Sequence, residues 1–304
     1  MIVVAGEALV DLVIDPVGGV VAALGGGPFN TARTLARLGS HVAFYGCISH
    51  DRFGSLLQQR LVGDGVDPVL TQRTELPTSL AAAELNEFGS ATYRFYLENT
   101  SAPNLSSVEL GADVVAVHAG TLGFVVDPMA SVLESLILAS GPNVLVMVDI
   151  NCRPKVVPDR ALYLERLRRV LARADVVKVS TEDLEYLGLA SDLGDACAIL
   201  ITMGATAVLH TDGGEAVRVY TATEHVDVPV VSVVVADTIG AGDAFGGAFL
   251  AWWTQSGLTR SDLTNIELLA RAAANGVVVA GDTCTRVGAE PPFVADLDCI
   301  WRPL

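Results

Sequence analysis

The stretch DTIGAGDAFGGAF, residues 237–249, sets three small residues, Gly240, Ala241 and Gly242, between an apolar run at 230–236 and an Ala-rich segment opening at Asp243. The pattern predicts a strand over 230–236, a tight turn and then a helix. The first N–H groups of a helix have no partner within it, so a turn of this kind gathers them into an anion hole that suits a phosphoryl group. Asp243 stands at the edge of that hole, where a carboxylate can accept the proton of a hydroxyl attacking phosphorus. The positive helix end favours its ionised form. The bland alternative is that Asp243 only caps the helix and the glycines only make the turn.

A second glycine-rich segment, GGGPFNTARTLARLG at 25–39, predicts a helix starting near Asn30, with three glycines that let a ligand approach the backbone closely. Asn30 can bond sugar hydroxyls through both ends of its amide, or it can cap the helix. Asp11, in an apolar alternating strand, either faces solvent or accepts bonds from ligand hydroxyls. Asp149, Asn151 and Arg153 alternate along a strand end, so all three can face one side. A carboxylate, an amide and a guanidinium together suit a site for phosphate and metal; an exposed strand-to-loop junction is the alternative.

Beyond these segments, short apolar runs at 2–5, 42–47, 114–118, 144–150, 176–179, 198–202 and 207–210 alternate with stretches of helical spacing at 29–38, 54–62, 128–139 and 160–173. A final helix is expected over 264–280. Alternation of this kind predicts a parallel sheet covered on both faces. Two hairpin-like stretches break the rhythm, 8–24 around Gly18 and Gly19, and 78–98 around Phe88 and Gly89. Paired in space, they would make an accessory β lid.

The 304 residues are 51% apolar and carry 19 Lys and Arg against 35 Asp and Glu, a net charge of -16. That balance argues against nucleic acid or an anionic membrane as partner. Five widely spaced cysteines without ligand spacing predict reduced thiols. The opening MIVVAGEALVDL has no basic n-region and reads as neither signal peptide nor anchor, so a cytoplasmic protein is expected. A nicotinamide-binding reading is disfavoured, because no GxGxxG follows the first strand.

Together these residues resemble the ribokinase-like carbohydrate kinases, of the minor phosphofructokinase type. GGGPFN with Asn30 and DTIGAGDAF with Asp243 stand 213 residues apart in the expected order. GEALVDL from Gly6, DINCRP from Asp149, KVSTEDLEYL from Lys178, ITMGATAVL from Ile201 and TRVGA from Thr285 also match in order.

The resemblance implies one kinase domain over 1–304, with a three-layer α/β/α core and a small β-sheet lid. It implies transfer of the ATP γ-phosphoryl group to a hydroxyl of a small carbohydrate. Asp243 would be the catalytic base and Gly240, Ala241 and Gly242 the anion hole. Asp11, Gly26, Gly27 and Asn30 match positions that hold the sugar, and Asn151 and Arg153 lie in a run near phosphates and substrate. Thr202, Gly204 and Asn275 match nucleotide positions. The family's Asn-x-x-Glu motif, which helps order Mg2+, becomes Ser180-Thr181-Glu182-Asp183, with Asp183 a methylene short and Glu182 adjacent. A potassium site would involve Asp237 and carbonyls around Ile239, Thr283, Arg286 and Gly288. Lid strands of such kinases often pair across a homodimer. The motifs look more like the fructokinase and 2-keto-3-deoxygluconate kinase branches than the ribokinase branch, which usually has a lysine where Gly27 stands. Fructose is the favoured substrate; ribokinase, nucleoside kinase and a catalytically silent sugar sensor are the other readings.

Overall fold

The computed structural model describes residues 1–87, 91–297 and 301–304. The expected hairpin tip at Phe88 and Gly89, and the fifth cysteine, Cys299, lie outside the described residues. Along the chain the strands are β1 (Ile2–Ala5), β2 (Leu9–Ile14), β3 (Val20–Gly25), β4 (Val42–Tyr45), β5 (Cys47–Ser49), β6 (Gln72–Thr74), β7 (Leu80–Leu85), β8 (Ala91–Tyr96), β9 (Ala116–Gly120), β10 (Leu145–Asp149), β11 (Val176–Ser180), β12 (Ala207–Thr211), β13 (Ala216–Tyr220) and β14 (His225–Pro229). The helices are α1 (Gly27–Arg37), α2 (Arg52–Gly63), α3 (Met129–Ala139), α4 (Arg160–Leu171), α5 (Thr181–Leu187), α6 (Leu193–Met203), α7 (Ala241–Gln255) and α8 (Ile266–Cys284).

The large sheet runs β14-β13-β12-β11-β10-β9-β1-β4. From β12 to β4 every pairing is parallel, and β13 and β14 add an antiparallel edge. Alternate side chains of each strand point to opposite faces. Ile2, Val4 and Met147 therefore pack with α1, α7 and α8, while Val3, Ala5, Val146 and Val148 pack with α3, α4, α5 and α6. Parallel strands buried on both faces explain why these runs read as continuously apolar. Trp252 and Trp253 of α7 are fully buried in the first layer.

The two stretches that broke the rhythm meet in a second sheet, ordered β3-β2-β7-β8, in which β2 pairs antiparallel with β3 and parallel with β7. The parallel β2–β7 contact joins the hairpins into one four-stranded layer.

Two expected strands are corrected. Residues 198–202 belong to helix α6, because Asp192 caps it through the Asp195 N–H and Ala196, Cys197 and Leu200 bury one helical face. Short runs of Ala, Ile and Leu fit either period. Residues 230–236 form no strand: β14 ends at Pro229 on the sheet edge, and Val231, Val234 and Val235 beyond it are exposed. The edge strands β13 and β14, with alternating half-exposed residues, were not anticipated.

Candidate active site

Open parallel sheets bind ligands beyond the carboxyl ends of their strands. At that edge a cavity of about 670 Å³ lies between the large and small sheets. Its floor carries Asn30 and Gly27 of α1, Asn151 and Arg153 after β10, Lys178 of β11, and Gly240, Gly242 and Asp243 at the start of α7. Its roof is the inner face of the small sheet, with Asp11 and Val13 of β2, Ala83 of β7, and Tyr93 and Phe95 of β8.

The α7 turn forms as the sequence suggests. Gly240, the N-cap residue, has φ 78, a left-handed conformation that favours glycine, and a Cβ there would meet Ala289 Cβ at 2.5 Å. Asp243 sits in the first turn and caps nothing; its Oδ2 accepts Asn30 Nδ2–H at 2.9 Å. The Ala241 N–H donates to the Thr238 carbonyl, whereas those of Gly240, Gly242 and Asp243 have no partner among the described residues. The open donors of this turn are thus Gly240, Gly242 and Asp243, with Ala241 spent on the turn itself.

Electrostatics at the floor oppose the simple helix-end expectation. Burial pushes the Asp243 carboxyl up to about 6, with the Asn30 bond lowering it, Asp149 raising it, and Lys178 and Arg153 lowering it. It remains mostly ionised at pH 7. Burial raises Asp11 to about 6 as well, opposed by Arg153. The Lys178 ammonium is buried and bonded to both Asp149 oxygens at 3.0 and 2.9 Å. Burial works to lower its pKa, but the Asp149 carboxylate holds it above the usual lysine range. Lys178 Nζ lies 3.2 Å from where a Gly242 Cβ would stand, so only glycine leaves the cation open to the turn.

Asn30 does not cap α1, whose N-cap is Gly26 at φ 110. Starting α1 at Gly27 rather than near Asn30 carries the amide to Asp243. Asn151 takes a left-handed φ of 37; its Nδ2 donates to Thr121 Oγ1 at 3.1 Å and its Oδ1 accepts Arg153 Nη1–H at 2.6 Å. Asn151 and Arg153 reach the cavity through a bent loop after the strand ends at Asp149, whose carboxylate lies behind them on Lys178.

Other expected positions lie elsewhere. Thr202 is in α6, with its hydroxyl on the Ile199 carbonyl. Gly204 caps that helix against α4, where a Cβ would meet Ala172 Cα and Leu171 O at 2.8 Å. Both precede β12, at the sheet edge remote from the cavity. A second T-x-G pattern, Thr211 to Gly213, ends β12 on the cavity edge, with Thr211 paired in register with Ser180 and Gly213 at φ 53. The apolar strand before it was the available signal. Asn275 is half-buried on α8, its Nδ2 bonded to the Arg271 carbonyl.

Asp183 is spent on structure: Oδ1 accepts the Cys152 N–H at 2.6 Å, and Oδ2 accepts the Ser180 N–H and hydroxyl at 2.9 Å. Glu182 is exposed beside it. Among the described residues no group of three or more His, Cys, Asp or Glu gathers to hold a metal ion. Asp237 accepts the Ile239 and Gly288 N–H groups at 3.0 and 2.9 Å, tying residues 285–290 to the α7 turn.

Comparison with known proteins agrees with this layout. The profile of the pfkB family carbohydrate kinases matches residues 1–292. The fructokinase of Rhizobium leguminosarum bv. trifolii is 34% identical over 258 residues, covering 83% of this chain and 79% of its own. The crystal structure of a fructokinase with bound ATP from Xylella fastidiosa superposes with a TM-score of 0.89 at 30% identity, covering 97% of each chain. A double mutant of the fructokinase of Vibrio cholerae, solved with fructose, ADP and a potassium ion, gives 0.82 at 25% identity over 95% of this chain and 93% of its own.

Proposed function

This chain belongs to the pfkB family of carbohydrate kinases, and on that premise we propose that it phosphorylates fructose at the expense of ATP. The observation that carries the reading is Asp243, an ionised carboxylate held by Asn30 beside unpaired N–H groups of one helix turn. Asn30 engages Oδ2, leaving Oδ1 to accept the proton of the attacking hydroxyl. The Gly242 and Asp243 N–H groups, with Lys178 behind them, stabilise negative charge that grows on the transferring phosphoryl oxygens. Arg153 and the polar ends of Asp11 and Asn151 orient the sugar, and Tyr93 and Phe95 close over it and exclude water, a competing acceptor.

ATP, when bound, supplies the phosphoryl group. Its nucleotide end would lie along the strand ends from the α7 turn toward Ser180 and Thr211. The described residues offer no ready cage for Mg2+, so the ion would arrive on the nucleotide with its own waters. Potassium dependence, a homodimer paired through the small sheet, and a cytoplasmic setting suited to the free cysteines among the described residues complete the proposal.

The test is ADP release with ATP and Mg2+ across fructose, 2-keto-3-deoxygluconate, ribose, other hexoses and nucleosides, with and without potassium. Fructose is expected to be the strongest acceptor. A different dominant acceptor would reassign the substrate, and silence across the panel with sugar binding retained would replace the kinase by a sensor.

A further inference from the structure

Glu7, in the GEALVDL segment, has no part in the chemistry described so far. It follows β1 and is 1% exposed, beneath the start of α1. Close contacts fix it there. A Cβ on Gly6 would meet Pro28 Cγ at 2.5 Å, a Cβ on Gly26 would meet the Glu7 carbonyl at 2.7 Å, and Glu7 Oε1 accepts the Gly27 N–H at 3.3 Å. The other oxygen, Oε2, is buried with no partner among the described residues. One turn into α1, Asn30 commits its Nδ2 to Asp243, and its Oδ1 is likewise buried without a partner. Both residues line the same cavity. While Glu7 is a carboxylate, Oε2 and Asn30 Oδ1 are both acceptors and neither can serve the other; a proton on Oε2 would supply the donor that both lack.

We propose that Glu7 is a positioning residue that works as a neutral acid: its Oε2–H donates to Asn30 Oδ1 and so fixes the amide with Nδ2 toward Asp243. The order of the relay is Glu7, Asn30, Asp243, and only the last touches the substrate. Burial supports the protonated form, pushing the carboxyl up to about 8. The groups that face Glu7 from the packed elements are the Gly27 N–H of α1, Arg153 from the loop after β10, which favours ionisation, and Asp243 of α7, which opposes it. Ionisation would remove the donor and set a second negative charge beside the base.

The proposal rests on the kinase reading of Asp243 and is tested with wild type, Glu7→Gln and Glu7→Leu. Glutamine keeps an acceptor for Gly27 and a donor for Asn30 but has no proton to lose. Measured as kcat with saturating ATP and fructose, wild type is expected to fall as pH rises through about 8. Glu7→Gln should keep kcat within about threefold at pH 7 and lose that alkaline fall, while Glu7→Leu loses about tenfold or more with the fructose KM little changed. An alkaline limb unchanged in Glu7→Gln, or wild-type kcat in Glu7→Leu, overturns the relay.

Denaturant unfolding gives a readout that needs no substrate. A group raised from 4.5 to about 8 by folding contributes stability below pH 4.5 that is lost as pH rises through about 8. Glu7→Gln should therefore gain stability relative to wild type between pH 5 and pH 9. No such gain would place the proton elsewhere, whatever the activity. An absence of sugar phosphorylation by wild type would instead refute the kinase reading and leave this measurement standing. If Glu7→Leu fails to fold, the comparison of wild type with Glu7→Gln decides.

Discussion

Asp243 carries opposing influences within one carboxyl group. The helix end and Asn30 favour its charge, yet desolvation at the cavity floor prevails and sets its pKa near 6 rather than near 4. A base must be unprotonated to accept a proton, so kcat should be near its maximum around pH 7 and fall about tenfold per unit well below pH 6. A kcat profile level down to pH 5 would show that Asp243 is not the titrating base. The residue types of the site were legible, because a Gly-Ala-Gly turn before an acid has few other uses. The bond from Asn30 was not, since 213 residues separate the partners and only the packing of α1 against α7 joins them. Glu7 was harder still, one acid in an apolar strand end with no spacing to mark it.

At the level of elements, the small sheet is the part with a separable role. Register places Ala81 opposite Phe95 and Ala83 opposite Tyr93, so small residues on β7 leave room for the aromatic rings of β8 above the cavity. Arg94, between them, pairs with Glu84 at 2.9 Å on the exposed side. Phe95→Ala should raise the fructose KM about tenfold while leaving the ATP KM within about twofold, because the ring roofs the sugar end only. Equal changes in both constants would contradict that division. The two hairpins were readable from their alternation, and their union required only that β2 meet β7. Helix α6 was misread because its apolar residues are as compatible with a strand, and the Thr-Met-Gly that follows then seemed to end one. The Thr211 pattern, after a true strand, shows that local motif and element must be assigned together.

Across the whole molecule, the α7 turn is held by its neighbours rather than by its own sequence. Arg33 and Arg37 of α1 both reach Asp64 and Glu290, and Arg60 of α2 also meets Glu290. Arg33 and Arg37 further donate to the Ala289 and Pro291 carbonyls, and Asp237 accepts from Gly288. The segment 287–291 is thereby pressed against Gly240 and the start of α7. Because Arg33 and Asp64 are both buried, Asp64→Asn leaves guanidinium charge poorly compensated and should cost about 3–5 kcal/mol. In a chain of this length that lowers Tm on the order of 10 °C, measurable by calorimetry. A shift below about 2 °C would mean that the cluster contributes little. The sequence sets Arg33 and Arg37 one helical turn apart, but nothing in it joins them to Asp64 and Glu290, which are distant along the chain.

The most direct measurement is the kinetics of Asp243→Asn with ATP and fructose, alongside equilibrium binding of both. Asparagine keeps the volume and the packing against Asn30 but cannot take the proton. The account predicts that both ligands still bind within about threefold while kcat falls by about 10²–10⁴. A variant turning over at close to the wild-type rate would contradict it, because the carboxylate on which the whole site converges would then not be the base.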